Sequence, residues 1–334
     1  MTTIKDVARI ADVAPSTVSN ALAGKPCVKP KTCERIKKIA AELHYTPNII
    51  AASMVTKNTD IIGIFFYNFT KVNYATYFDF ISGVTQESGK KNMRVMLYAD
   101  ISQSQLHRRI ISNREPIDGA IVFCPQEDDY RISELAEVEI PMIMVGKIAD
   151  ECTSYCDVNN VEITYNVVKN LLGLGHRKIL LFNSKKNWLI THDRWEGYGK
   201  AFREYGLEPD DALHINTRID AALDKANFLS IPESAYTAVV TESADIAELV
   251  YEREASKGRR VGEFVSLAML GIDDRFKFLK PKLTSVTVDY KDLGSIAVRQ
   301  LNLIPREKSR QKKEIVIGNY KIEFTESCSV NAGR

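Results

Sequence analysis

Residues 4–24 read IKDVARIADVAPSTVSNALAG, and this stretch decides the fold. Ile4, Val7, Ala8 and Ala11 recur at helical spacing and make one apolar face. Thr3 precedes them and Asp6 follows three places on, a weak capping-box pattern. Asp12-Val13-Ala14 then breaks the period. Pro15 suits the first position of a second helix, where its missing N–H costs nothing. Val18, Ala21 and Leu22 supply that helix's buried side, and Gly24 and Pro26 end it. Two short helices joined by a tight turn have the form of a helix-turn-helix, which can hold its second helix in a major groove. Spacing alone leaves any small helical hairpin open.

Working outward, Pro30 opens a third helix, with Ile36, Ile39, Ala40 and Leu43 on one side and Lys31, Arg35, Lys37 and Lys38 on the other. Residues 1–60 hold nine Lys/Arg against five Asp/Glu, a net +4; the remainder holds 36 against 38, a net −2. A basic module on a slightly acidic body fits phosphate contact by the module. The 334 residues exceed one ordinary domain, and 45% apolar content is enough for real cores. There is no run of 18 apolar residues and no basic-then-apolar leader, so the expectation is a cytoplasmic protein without a membrane span. Six scattered cysteines lack metal-ligand spacing and read as reduced thiols, with no metal site expected.

From Ile61 the texture changes. IIGIFFY reads as a buried strand, and the segment ending near Gly89 as a helix; NMRVMLYAD, IDGAIVFC and IPMIMVG read as further strands. A helix is predicted over about 162–174, a strand at 177–183, a helix at 195–206, a strand at 237–243, a helix at 244–256 and a strand at 264–274. Such alternation over more than 200 residues argues an α/β body with a doubly wound parallel sheet, divided into two lobes because one sheet of so many strands would be unusual.

No enzyme signature survives inspection. LGLGH is not GxGxxG and follows a helix, and neither GxxxxGK[ST], HExxH nor GxSxG occurs. Asp273-Asp274 ends a predicted strand, a good ligand address in an α/β sheet, though loop capping is the plainer reading. No cofactor is expected.

IKDVA, PSTVSNALAGK and ERIKKIAAELHYTPN, in this order, resemble the lactose/galactose repressor family of bacterial transcription regulators. IDGAIV, IPMIMVG, LGLGHRKI, DRWEGYGKAF, GIDD and PKLTSV extend the resemblance through the body, and EIVIGNYKIEFTESCSV looks like the family's terminal strand pair. The resemblance implies a three-helix head over 1–46, a hinge helix and linker over 47–60, and a two-lobed body over 61–330 similar to periplasmic sugar-binding proteins. It implies a homodimeric repressor on a near-palindromic operator, controlled by a small sugar-like effector held between the lobes. No leucine heptad follows, so the tetramerising tail of the lactose repressor is not expected.

Base-reading positions then fall on Pro15, Ser16 and Asn20, with Thr17 and Ser19 as phosphate contacts. Ser53 and Met54 sit at the hinge, Met54 as the apolar minor-groove wedge where the family usually has Leu. Ala52 replaces the usual basic residue before them, which removes one minor-groove charge. Arg194 stands where the family places an arginine that reaches the ligand; Lys147, Asn183, Asp245 and Asp273 complete the candidate effector site. Gly146, Ser243-Ala244 and Val288 replace polar residues common in the family. Losing acceptors while keeping Arg194 and gaining Lys147 tilts the expectation toward an anionic effector such as a sugar phosphate. Two other readings stand beside this one: a sugar-binding protein without operator preference, and an α/β enzyme using Asp273 and Arg194.

Overall fold

The computed structural model describes residues 2–22, 27–45, 58–67, 74–112, 115–126, 128–147, 154–186, 188–217, 221–304 and 315–331. The chain divides into two compact units, Met1–Thr59 and Asp60–Arg334.

The first unit holds helices α1 (Ile4–Ile10), α2 (Pro15–Leu22) and α3 (Pro30–Glu42). The Thr3 N–H and hydroxyl both donate to the Asp6 carboxylate, at 2.9 and 2.8 Å, which fixes the start of α1. These bonds hold the Asp6 carboxyl below its usual range, the backbone bond to Thr3 contributing most. Asp12 turns the chain with φ of +48°, a conformation Asp tolerates. Val7, Ala8, Ala11, Val18, Ala21, Ile36 and Ala40 close over one another as the core. The small alanines let three short helices approach closely enough to exclude water.

The second unit contains two six-stranded sheets. Strands β1 (Ile61–Phe66), β2 (Arg94–Ala99), β3 (Gly119–Phe123), β4 (Met142–Val145), β5 (Tyr155–Asp157) and β11 (Ile315–Ile317) form the first, in the order β11-β5-β4-β3-β1-β2. Its pairings are all parallel. Strands β6 (Ile179–Asn183), β7 (His214–Asn216), β8 (Ala238–Thr241), β9 (Ser266–Met269), β10 (Thr284–Val288) and β12 (Tyr320–Glu323) form the second, in the order β12-β10-β9-β8-β6-β7. Only its β10–β12 pairing is antiparallel. The β2-β1-β3-β4-β5 order, and its equivalent in the second sheet, is the doubly wound order that places ligands at strand carboxyl ends.

Helices cover both faces of each sheet. In the first lobe these are α4 (Tyr74–Gly89), α5 (Gln103–Leu106, continued by a π turn to Ile111), α6 (Tyr130–Glu137) and, late in the chain, α11 (Tyr290–Leu301). The second carries α7 (Asn160–Gly173), α8 (Leu189–Glu204), α9 (Ala221–Ser230) and α10 (Ala244–Ser256). Buried runs such as Ile62, Ile64 and Phe66, with Tyr77 and Phe80 of α4 and Leu293 and Ala297 of α11, build the first core. Glycines bring the covering helices into backbone contact. A Cβ on Gly83 would overlap the Lys291 carbonyl, and one on Gly197 the Val161 carbonyl.

Three observations amend the sequence reading. The helix expected over 195–206 starts at Leu189, because Trp188 opens it without any side-chain cap to announce it. The strand expected over 264–274 is only Ser266–Met269; beyond it Asp273 caps a short 3₁₀ turn. The terminal strands do not pair with each other: β11 joins β5 in one lobe and β12 joins β10 in the other. The chain therefore crosses between lobes after β5, after β10 and after β11. The hinge call on Ser53 and Met54 lies outside the described residues.

Candidate DNA interface and ligand cleft

Helix α2 divides its residues by angle. At roughly 100° per residue, Pro15, Ser16, Ser19 and Asn20 share an arc of about 140°, opposite Val18 and Ala21. Val18 and Ala21 are fully buried, whereas Pro15, Ser16 and Ser19 are exposed and Asn20 is half-buried. Thr17 lies on the flank toward the core and is half-buried. Among the described residues, no hydrogen bond engages the side chains of Ser16, Ser19 or Asn20. The α2 N–H groups of Thr17 and Val18 are both spent on the Ala14 carbonyl, at 2.9 and 3.2 Å. A helix that buries its aliphatic side and leaves short polar side chains unspent presents donors and acceptors to a partner. Serine and asparagine at such a helix start match the edges of bases.

In the second unit a cavity of about 410 Å³ opens between the lobes. The carboxyl ends of β3, β4 and β5 supply Phe123, Cys124, Val145, Lys147 and Asp157. The start of α8 supplies Trp188, Leu189, Ile190 and His192 from the other lobe. The second crossing supplies Val288, Tyr290 and Leu293.

Charges in this cleft are already partnered. Lys147 Nζ meets Asp193 Oδ1 at 2.8 Å, joining β4 of one lobe to α8 of the other. Burial works against the Lys147 ammonium, but the bond to Asp193 outweighs it and raises its pKa. Asp157 receives the Val158 N–H at 2.7 Å. Burial nevertheless pushes its carboxyl up to about 6, against the bonds from the backbone of Val158 and Lys147. Cys124, a free and exposed thiol, also lines the cavity.

Arg194 is nearly buried on α8. Its Nη1 donates to Ser184 Oγ at 2.8 Å and pairs with Glu242. Burial opposes the Glu242 carboxylate, yet the Arg194 charge keeps its pKa below the ordinary value. Arg194 is absent from the cavity lining, although it stands close enough to shift Asp157 and Tyr290.

Family models match the chain in two places. Residues 3–48 match bacterial regulatory proteins, lacI family, and residues 168–327 match a periplasmic binding protein-like domain. The ribose operon repressor of Haemophilus influenzae is 26% identical over 90% of this chain and 91% of its own. The solved structure of the lac repressor dimer bound to operator and the anti-inducer ONPF superposes with a TM-score of 0.77. It has 19% identity and covers 98% of this chain and 99% of its own. That of transcriptional regulator CelR in complex with cellobiose gives a TM-score of 0.71 at 22% identity, covering 98% and 100%.

The chain belongs to the lacI family of bacterial regulatory proteins. It is a DNA-binding transcription regulator and not an enzyme. As a lacI-family regulator it places the sequence-derived candidates unevenly. Pro15, Ser16, Ser19 and Asn20 come together on one arc of α2, with Thr17 on its flank.

Of the effector candidates, Lys147 lines the cavity. Asn183 is fully buried: its Nδ2 donates to the Thr191 carbonyl at 3.0 Å and its Oδ1 accepts the Ser184 N–H at 2.9 Å. It fastens β6 to α8. Asp245 and Asp273 meet on Arg275, at 2.9 and 3.1 Å, away from the cavity lining. Burial opposes the Asp273 carboxylate, but its bonds to Arg275 hold its pKa low. The two cations behind the anionic-effector expectation each have a carboxylate partner, so neither offers a surplus charge.

Gly146 and Val288, flagged as departures from the family, both line the cavity. Trp195 stacks between Tyr198 and His214, at 5.0 and 4.2 Å, while Trp188 faces the cleft. Sequence reasoning missed Asp157, Phe123 and Tyr290. A single acid closing a three-residue strand carries no period, and two aromatics at element ends read as core.

Proposed function

We propose that this regulator is a homodimeric repressor whose grip on a near-palindromic operator is set by a small sugar-like effector in the cleft. The observation that carries the DNA half is the unspent polar arc of α2. Ser16 and Asn20 read base edges there, Pro15 offers apolar contact, and Thr17 and Ser19 hold phosphates. The proposed division is a head over 1–46, a hinge segment with Ser53 and Met54 over 47–60, and an effector-binding body over 61–330. A chromosomal operator places its work in the cytoplasm.

The effector half is supported by a cavity at strand carboxyl ends whose walls come from both lobes, so a ligand there favours one lobe arrangement over another. The names of the ribose operon repressor and of the CelR–cellobiose complex point to the sugar class. Lys147 is the member of the original effector set placed to meet it, with Arg194 shaping the wall from behind. Exposed Phe78 on α4 and Leu97 on β2, 74% and 47% accessible, support a second copy as partner.

The test is operator selection from random duplexes, followed by titration in rising salt. The expected site is two inverted half-sites about one helical turn apart. Recovery of no preferred sequence would refute the reading. A compound that shifts the body's melt but leaves operator affinity unchanged would remove the effector half alone.

A further inference from the structure

Two consecutive residues of α8 carry opposite charges and face different lobes. Arg194 turns into its own lobe, where Ser184 and Glu242 hold it. Asp193 reaches across to the Lys147 ammonium, 2.8 Å away at the end of β4. The root of Lys147 is fixed as well, because its backbone N–H bonds to the Asp157 carboxylate at the first crossing. Among the described residues, Lys147 is the one lysine or arginine in the cavity lining, beside the titratable Asp157 and His192. The anion that neutralises this cation therefore comes from the opposite lobe.

Both partners are partly buried, 34% and 15% accessible, so salt screens their attraction less than on an open surface. A free anion that approaches Lys147 meets a carboxylate already tethered there. The tether gives that carboxylate a high effective concentration, and displacing it leaves Asp193 desolvated and without its partner. Because β4 and α8 belong to different lobes, the same pair also favours the arrangement that brings them together, with no ligand needed.

We propose that Asp193 is the cleft's built-in counter-ion, which clasps the two lobes in the absence of a ligand and keeps anionic ligands off Lys147. Its meaning for regulation rests on the cleft being the effector site. The test uses neither effector nor operator, so the two readings can fail separately.

Cleft access in the full chain is read through Trp188, which lines the cavity. A Trp195→Phe background leaves Trp188 as the single tryptophan, and acrylamide quenching of its fluorescence reports its accessibility. Asp193→Ala and Lys147→Met are each expected to raise the quenching constant, roughly twofold, as the lobes part. Acetate, a small carboxylate that fits the space left in Asp193→Ala, is expected to reverse most of that rise relative to chloride at equal ionic strength. It is expected to change neither the parent nor Lys147→Met. The exchanged pair, Lys147→Asp with Asp193→Lys, is expected to quench like the parent, and it carries the test where a single variant loses its cooperative melt.

Parental quenching in both single variants overturns the clasp, as does an exchanged pair that melts cooperatively but stays open. Opening in Asp193→Ala alone means that Asp193 acts through another group, and this too overturns the proposal. Acetate that acts on the parent as strongly as on Asp193→Ala overturns the exclusion of anions. An opened Asp193→Ala cleft that acetate does not close overturns the counter-ion role.

Discussion

Replacing Asp157 with Asn removes a titrating carboxyl from the cleft while keeping an oxygen to accept the Val158 N–H. Burial lifts this carboxyl from 3.8 to about 6 in the folded protein. The raised value means that the folded state prefers the protonated form. The group's stabilising contribution is therefore fully present below 3.8 and is lost as pH rises through about 6. Worked through the linkage relation, lowering pH from about 7.5 to about 5 adds on the order of 1 kcal/mol.

His176 and His214 act with the opposite sign. Burial depresses both below 6.5, so their contribution is lost as pH falls below that value through the folded pKa. The wild-type profile mixes these terms, but its difference from Asp157→Asn cancels the imidazoles. Urea unfolding of the body at both pH values measures it. The expected result is a wild-type gain on acidification that exceeds the variant's by about 1–2 kcal/mol. Equal changes in the two proteins would refute the argument that Asp157 is a desolvated carboxylate.

Other consequences follow from the same geometry. Asn20→Ala is expected to cost roughly 1–3 kcal/mol on the selected operator and to relax one base position; an unchanged base preference in a binding-site selection sinks its role in readout. Ile36→Ala empties the centre of the head and is expected to cost about 2–5 kcal/mol, enough to melt so small a unit. Calorimetry is expected to show the body transition intact, and loss of both transitions counts against two separable units. Lys147→Met breaks a partly buried inter-lobe pair, with an expected cost of about 0.5–2 kcal/mol. A double-mutant cycle with Asp193→Asn is expected to show coupling, and strict additivity means the pair does not form in solution.

Legibility in the sequence followed element length and locality. The head was readable because α1 and α2 each show their period over seven or eight residues and carry local stop and start signals. Long buried runs such as Ile61–Phe66 announced strands in the same way. β5 and β7 have three residues each, too few for any period, and both escaped; β11, equally short, was reached only through the resemblance. Pattern also cannot say which sheet a strand joins, so β11 and β12 looked like a pair. In the cleft, resemblance picked out Gly146 and Val288 by position. It also named Arg194, but the Glu242 that occupies it lies 48 residues away and leaves no trace in a local reading. Asp157 stands in the cavity because β5 ends there, a fact of topology and not of motif.

The crossings explain how a ligand's contacts reach lobe geometry, and Gly318 tests the explanation from outside the cavity. Asp157 and Tyr290 lie at the first and second crossings, and both line the cleft. The third crossing stands outside the cavity lining, yet it is laced to the others: the Gly318 N–H donates to the Asp157 carbonyl at 2.7 Å, and the Asp289 N–H to the Asn319 carbonyl at 3.0 Å. A Cβ on Gly318 would stand 2.9 Å from Leu293 Cδ1, and Leu293 lines the cavity. Gly318→Ala therefore presses a cleft wall without adding any group to the cleft. The expected outcome is a modest stability loss, about 1–3 kcal/mol for an overpacked contact, with a larger proportional loss of effector affinity. Operator affinity without effector is expected to change little. If effector affinity stays at the wild-type value while stability falls, Leu293 yields freely, and the crossings serve as tethers and not as the coupling element between ligand and lobe arrangement.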